Sequence, residues 1–438
     1  MAALRPPSDV ERTVSLAEAE QRAMTALDSL GLHATLSCLS PDTDPTAWRC
    51  LLHASSGAPV PEGVGCGKGH RQEARVGAMF EAMEHHFSGP GAFNPPAVSL
   101  WPAAALAQDV LADDVVMPVL SGLAGQQLAC HAFAPMAGRS QTAETAGGQV
   151  PVPLFLTDPW YVDRDGAPAR RAVGDTYDYL PVLARYSCNS GSAIGVGAAE
   201  AGLHALNEVI ERDAFSLLLT RAFLGRGYRP TVVDTATLPA DLAAAHALAE
   251  RLAGQPVHLL DITTDLGVPA RMAYAVPGPE GRHRRGTGVS LNAHYAAWRA
   301  LTEFVQGILV GDHAGFADLS PLSPYQPLLA CGRFDLTSHL SEARLVPYTP
   351  PDTTPAGHPV DQLRVLVDRL TAAGHHPYQR IVADLPGGVT VVKVLVPGLE
   401  RFMLVTQGAL VLPGRRARHA VTATTPRRGS KVATPRVC

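Results

Sequence analysis

No CxxC pair occurs in these 438 residues, and the seven cysteines, Cys38, Cys50, Cys66, Cys130, Cys188, Cys331 and Cys438, are scattered and odd in number. That excludes a disulfide framework, a zinc ribbon and a dithiol redox pair. Long apolar runs are missing too. None approaches the ~18 residues of a membrane helix, the strongest being cut by Arg221 and Lys393, and "MAALRPPSDVERTV" lacks the apolar region of a signal peptide. Basic charge is not in excess either. The formal net charge is −4, so no global field recruits nucleic acid or an acidic membrane. The phosphate-binding loop GxxxxGK(S/T) is also absent. A cytoplasmic protein without nucleic-acid or membrane partners is the expectation.

What is there is ordinary globular material, 46% hydrophobic and 17% charged, long enough for two or three subdomains. Apolar spacing predicts a helix over 14–31 with Gly31 as its stop, followed by strands in "ATLSCLS" and "WRCLLHAS". "GVGCGKGH" reads as a glycine-rich turn, and 136–150 and the Pro/Thr-rich 346–360 read as a surface loop and a linker between lobes. Two stretches, 259–278 and 380–398, repeat one plan of strand, tight turn and strand ending in Val-Pro-Gly. Helices lie between such units. The fold class is therefore mixed α/β (α+β), with sheets backed by helices.

Three apolar segments carry one polar spacing. "VGAMFEAMEHHF" holds Glu81 and Glu84, "ALNEVIERDAFSLLL" holds Glu208 and Glu211, and "WRALTEFVQGIL" holds Glu303 and Gln306. Residues at i−4, i and i+3 share a helix face. One such stripe reads His204, Glu208 and Glu211, with Glu200 a further turn back and Arg212 on its flank. Taken singly, each stripe reads first as the water-facing side of an amphipathic helix. Yet paired carboxylates repel, and a solvated face usually answers with Lys or Arg nearby. The first helix offers only His85, His86 and Arg75, and the second only Arg212. If the faces converge, the carboxylates need a cation, and oxygen-only ligands suit Mg²⁺ completed by phosphates. Arg212, Arg299 and Lys68 would then meet phosphate oxygens. "YSCNSGSAIGVGAAEAG" runs small and glycine residues into the Glu200 helix, whose N-terminus suits an anion.

"GKGHRQEARVGAMFEAMEHH", "SCNSGSAIGVGAAEAGLHALNEVIERDA" and "RALTEFVQG" together resemble the YcaO family of ATP-dependent peptide-modifying enzymes, and "VVKVLVPGLE" resembles its C-terminal strand. The resemblance implies a YcaO-like fold with ATP and Mg²⁺ held between the Glu-bearing helices. It points to Glu81, Glu84, Glu208 and Glu211 as metal ligands, joined from the same stripe by Glu200. Nucleotide contacts are expected from Lys68, Asn189, Ser190, Glu200, His204, Arg212, Arg299, Glu303 and Gln306. The implied organisation is an N-terminal helix and strands over 1–64, an ATP-binding core over 65–345 and the linker 346–360. A C-terminal α/β part at 361–414 and a basic flexible tail at 415–438 complete it. Departures are Gly77 where the family often has Ser, a reshaped "CNSGSAIG" turn, and "KVATPRVC" in place of a PxPxP tail.

The implied chemistry is phosphorylation of a backbone amide of a ribosomal precursor peptide, giving thiazolines or oxazolines by cyclodehydration. Thioamide or amidine formation is the alternative, and a non-catalytic ATP-binding scaffold is the reading from another class. The general base is not identified. Cys66 and Cys188 read as packing residues. Besides the peptide, a separate E1-like leader-binding or TfuA-like partner is expected, with a homodimer left open.

Overall fold

The computed structural model describes residues 11–138, 148–278, 283–311, 317–349 and 357–423. Helix α1 (Leu16–Ser29) starts at Ser15, whose hydroxyl accepts the Glu18 N–H at 3.3 Å, and buries Ala19, Ala23, Ala26 and Leu27. Gly31 ends it at φ 65°, as its position in the sequence predicts. Strands β1 (Leu32–Cys38), β2 (Thr46–Ala54) and β3 (Pro59–Gly69) form an antiparallel sheet. Helix α2 (Arg71–Ser88) follows directly.

The expected glycine-rich turn is instead the end of β3, paired with β2 as far as Gly69 opposite Thr46. Its glycines serve close approach. A Cβ on Gly65 would stand 2.2 Å from Ala82 N, and one on Gly67 only 1.8 Å from Ala74 O. The strand therefore presses its bare backbone onto α2.

Strands β4 (Val98–Pro102), β5 (Gln127–Pro135) and β6 (Val150–Pro153) lead to β7 (Ser192–Val196) and the long helix α3 (Ala198–Leu219). Next come β8 (Thr231–Asp234), α4 (Ala240–Ala253), β9 (His258–Asp261), β10 (Ala270–Ala275), β11 (Arg284–Val289) and α5 (Ala293–Leu309). Strand β12 (Arg344–Pro347), helix α6 (Pro359–Ala372), strands β13 (Tyr378–Leu385) and β14 (Val389–Leu395) and helix α7 (Arg415–Ala423) complete the framework. One sheet runs β11-β10-β9-β8-β12, another β4-β5-β13-β14-β7 with β6 on β5. The two echoing stretches are indeed antiparallel strand pairs, β9 with β10 and β13 with β14, in different sheets.

Two expectations about organisation change. Strands β13 and β14 lie between β5 and β7, so the C-terminal part completes a sheet begun far earlier and 346–360 does not join separate lobes. Residues 346 and 347 belong to β12, and 350–356, like 139–147 of the expected loop, lie outside the described residues. The expected tail from 415 begins as a docked helix, because Ala417 and Ala420 pack on Leu217 of α3. Residues 424–438 lie outside the described residues. Among the described residues no helix is long and apolar enough to cross a membrane.

Packing fixes the Glu-bearing helices from behind. Helix α5 buries Trp298, Leu301, Phe304 and Val305 almost completely, each contributing roughly 1.5–3 kcal/mol. Helix α3 buries Leu203, Leu206, Ile210, Ala214 and Leu217, and α2 buries Val76, Met79, Phe80 and Met83. In each case the polar stripe is turned the other way.

Candidate active site

The three stripes face one another across a cavity of about 870 Å³. Glu81 and Glu84 come from α2, His204, Glu208, Glu211 and Arg212 from α3, and Arg299, Glu303 and Gln306 from α5. Lys68 reaches in from β3, and Asn189 from the turn before β7. All three stripes line the cavity, and that of α3 is the most enclosed. The Glu211 side chain is 5% exposed and that of Glu208 21%.

Hydrogen bonds hold the carboxylates apart. Glu81 accepts the Cys66 N–H at 2.9 Å. Glu208 accepts Arg212 at 3.2 Å and the Gly191 N–H at 3.4 Å. Arg212 also pairs with Glu211 at 3.3 Å, and Glu211 accepts the Thr287 hydroxyl at 2.7 Å. Glu303 pairs with Lys68 and accepts the Thr287 N–H at 3.0 Å. The Gln306 amide donates to the Cys66 carbonyl, tying α5 to β3. Arg299 donates to His204 Nδ1 at 3.2 Å, which leaves the ring proton on Nε2.

Five glutamates thus share the cavity with Lys68, Arg212 and Arg299, and the acidity of each follows its own neighbours. Burial pushes Glu84 well above the usual carboxylate range, with Glu208 and Glu81 pushing the same way. Burial raises Glu208, helped by Glu211 and opposed by Arg212. It raises Glu81 against the pull of His85, the Cys66 N–H and Lys68. Glu303 goes the other way: burial is outweighed by Lys68, Arg212 and the Thr287 N–H, which hold it at about 2. Burial, with Arg299, Arg12 and Lys68 nearby, depresses His204 well below its ordinary value and keeps it neutral.

The donor set suits a hard divalent cation. Glu81, Glu84, Glu208 and Glu211 offer only oxygen, and Glu84 has no hydrogen bond or ion pair among the described residues. No three His, Cys, Asp or Glu side chains among the described residues yet stand together as a metal cluster. The four acids line the cavity wall, and Glu81, Glu208 and Glu211 are each engaged by a neighbouring donor.

Two expected residues are placed elsewhere. Glu200 does not line the cavity; it is buried against Arg12 at 3.3 Å and the Thr13 N–H at 2.7 Å. Two turns before Glu208 the stripe has drifted off the cavity face, and the N-terminal segment covers it. Ser190 lines a small crevice behind α3 with Cys188 and Val209, because alternate residues of the turn point opposite ways. Sequence reasoning missed Arg12, which lines the cavity, and Glu11, which pairs with Arg299 at 3.9 Å and accepts Asn207 at 3.2 Å. No local pattern marked that pair. It missed Thr287 as well, although "GTG" before α5 repeats the GxG placement of "GKG" before α2.

Residues 66–400 match the family model described as YcaO cyclodehydratase, ATP- and Mg²⁺-binding. A protein of Rhizobium leguminosarum bv. trifolii, described as an uncharacterized protein in the tfuA 3′ region, is 32% identical over 233 residues, 48% of this chain and 52% of its own. The chain thus spans about half the length of that curated relative. Among solved structures, YcaO from Methanopyrus kandleri bound with AMPPCP and Mg²⁺ superposes with a TM-score of 0.60 at 19% identity, over 92% of this chain and 96% of that one. A heterocyclase in complex with substrate and cofactor gives a TM-score of 0.57 at 18% identity, over 89% of this chain and 53% of that one. At such identities the structural likeness establishes the fold alone. With the family model matching most of its length, the chain belongs to the YcaO family.

Proposed function

We propose that this chain uses Mg-ATP to activate a backbone amide of a ribosomally made peptide. The observation that carries the reading is the inward convergence of Glu81, Glu84, Glu208 and Glu211 with Lys68 and Arg212 on one cavity. Glu84, uncompensated, and Glu208 and Glu211, already bridged by Arg212, would hold the metal. Magnesium bound there supplies neutralisation of phosphoryl charge. Arg212 and Lys68 would exchange their carboxylate partners for phosphate oxygens, arginine bidentately. Asn189, Arg299, neutral His204, Glu303 and Gln306 would orient the nucleotide, and Arg12 extends that set. In the reaction a nucleophile gives up its proton and adds to the amide carbonyl carbon, the carbonyl oxygen takes the γ-phosphoryl group of ATP with release of ADP, and phosphate then leaves with that oxygen as a new double bond forms at the carbon. The wall contributes positioning and electrostatic stabilisation.

Two products share that step. A Cys, Ser or Thr side chain of the peptide as nucleophile gives an azoline. An external sulfide gives a thioamide, and the relative from the tfuA 3′ region favours this second outcome, with a TfuA-like partner. Incubation with ATP, Mg²⁺ and candidate peptides, followed by mass spectrometry, separates them. Loss of one water is the azoline result, and exchange of one oxygen for sulfur is the thioamide result. Nucleotide binding without phosphate release under every condition would instead support a scaffold.

A further inference from the structure

The cavity has two unlike ends. One is closed, by buried Glu73, Phe80 and Tyr295 with Arg12 and His204. The other opens to solvent and is basic, lined by His283, Arg284, Arg285 and Arg333, with Arg284 and Arg333 exposed. Strand β11 connects this mouth to the glutamate wall. Successive side chains alternate along a strand, so Arg285 and Thr287 share one face and the intervening Gly286 turns toward α5. Thr287 meets Glu211 at 2.7 Å. Arg285 lies over the Phe215 ring at 4.4 Å, one helical turn past Glu211 on α3. Arg285 therefore continues the acidic row outward, and Arg284 and Arg333 line the same cavity.

The mouth is built on a strained base. Phe334, which follows the helix Gln326–Arg333, is fully buried at φ 47°, a left-handed conformation that bulky residues rarely adopt. Its ring packs against His283 at 4.9 Å, Phe215 at 5.0 Å and Tyr274 at 5.2 Å. The buried Tyr274 hydroxyl donates to the Phe334 carbonyl and accepts the Leu336 N–H, both at 3.0 Å. That clamp fixes the turn that carries Arg333, which lines the same cavity as Arg285. His283, hydrogen-bonded to the Arg333 backbone and held at about 4 by burial and by Arg285, contributes scaffold and no charge. Among the described residues Arg284 and Arg333 enter no ion pair. Asp335, the nearest acid on the same turn, caps the Thr337 N–H at 2.9 Å.

We propose that Arg284, Arg285 and Arg333 form a carboxylate-recognition site at the mouth, which selects peptide substrates bearing acidic side chains beside the amide to be modified. This rests on the function proposed above, with nucleotide phosphates at the glutamate wall. A nucleoside can be enclosed at the closed end, whereas a peptide must enter from solvent. Planar guanidinium forks match carboxylates bidentately.

The test uses the full chain and two short fluorescent peptides of one length, one alternating Glu with Gly and the other Gln with Gly. Binding is read by anisotropy at low salt, and Mg-AMPPCP binding is read separately by calorimetry. The acidic peptide is expected to bind the wild type about tenfold tighter than its glutamine twin. The double variant Arg284→Gln/Arg333→Gln is expected to lose that preference while binding Mg-AMPPCP as the wild type does. Both arginines are exposed, so folding is preserved. Equal binding of the twins by the wild type overturns the inference, as does an undiminished preference in the double variant. Loss of Mg-AMPPCP binding in the double variant overturns it too, since the arginines would then serve the triphosphate. A wild type that prefers the acidic peptide yet fails to bind Mg-AMPPCP leaves this site standing and overturns the function proposed above.

Discussion

At the scale of single residues, the carboxylates are not interchangeable. Among the described residues Glu84, unlike the other cavity glutamates, has neither donor nor cation beside it, and its proton is held more tightly in the folded chain than in the unfolded one. The linkage sign follows directly. Folding is favoured while Glu84 is protonated, and stability falls as pH climbs above the ordinary value of 4.5. Glu81 and Glu208 act in the same direction. Chemical denaturation across that range, without divalent ions, should therefore give a declining stability that Mg²⁺ restores. Glu84→Gln is expected to flatten the decline; identical slopes in the wild type and this variant would refute the assignment. Glu208→Gln and Glu211→Gln should each lower Mg-dependent ATP consumption by roughly a hundredfold or more. Circular dichroism should stay unchanged, because both side chains face the cavity and not the core.

At the scale of elements, the same device is used twice. Gly65 and Gly67 let β3 touch α2, and Gly286 and Gly288 let β11 touch α5, where an added Cβ would stand 2.2 Å from Phe304 N and 2.3 Å from Ala296 O. Gly286→Ala should thus destabilise by about 3 kcal/mol, measured by urea unfolding, because the obstructing atoms are backbone; a loss near zero would argue against so close a contact. The helix stripes were legible because period and polarity agree along α2, α3 and α5. The β3 strand was not, since glycine-rich composition looks alike in a turn and in a strand pressed onto a helix. Helix α7 was hidden by its basic composition. Arg416 spans Asp213 at 3.0 Å and Asp265 at 2.7 Å, and Glu400 accepts the N–H groups of Gly414 and Ala417. Asp213 is fully buried and directly follows Arg212. Arg416→Ala is accordingly expected to cost about 3 kcal/mol, since it strands a buried carboxylate. Thermal unfolding indistinguishable from wild type would mean that α7 is dispensable.

At the scale of the whole molecule, the cavity exists because segments far apart in sequence are laced together. Residues 11–13 lock Glu200 and Arg299, and β14 lies beside β7, which leads into α3. Recurring motifs made the family and the glutamate helices readable in advance. Long-range partners such as Glu11 and Arg12 left no periodic trace, and Glu200 was misplaced because a stripe says nothing about which chain covers its end. The central claim is that the inward-facing acids grip a metal-bound triphosphate, and its most direct test is calorimetric titration of the full chain with AMPPCP, with and without Mg²⁺. Saturable binding that requires Mg²⁺ in the wild type, and is abolished in Glu208→Gln/Glu211→Gln, is the expected result. Binding of equal strength without Mg²⁺, or binding that survives the double substitution, would contradict it.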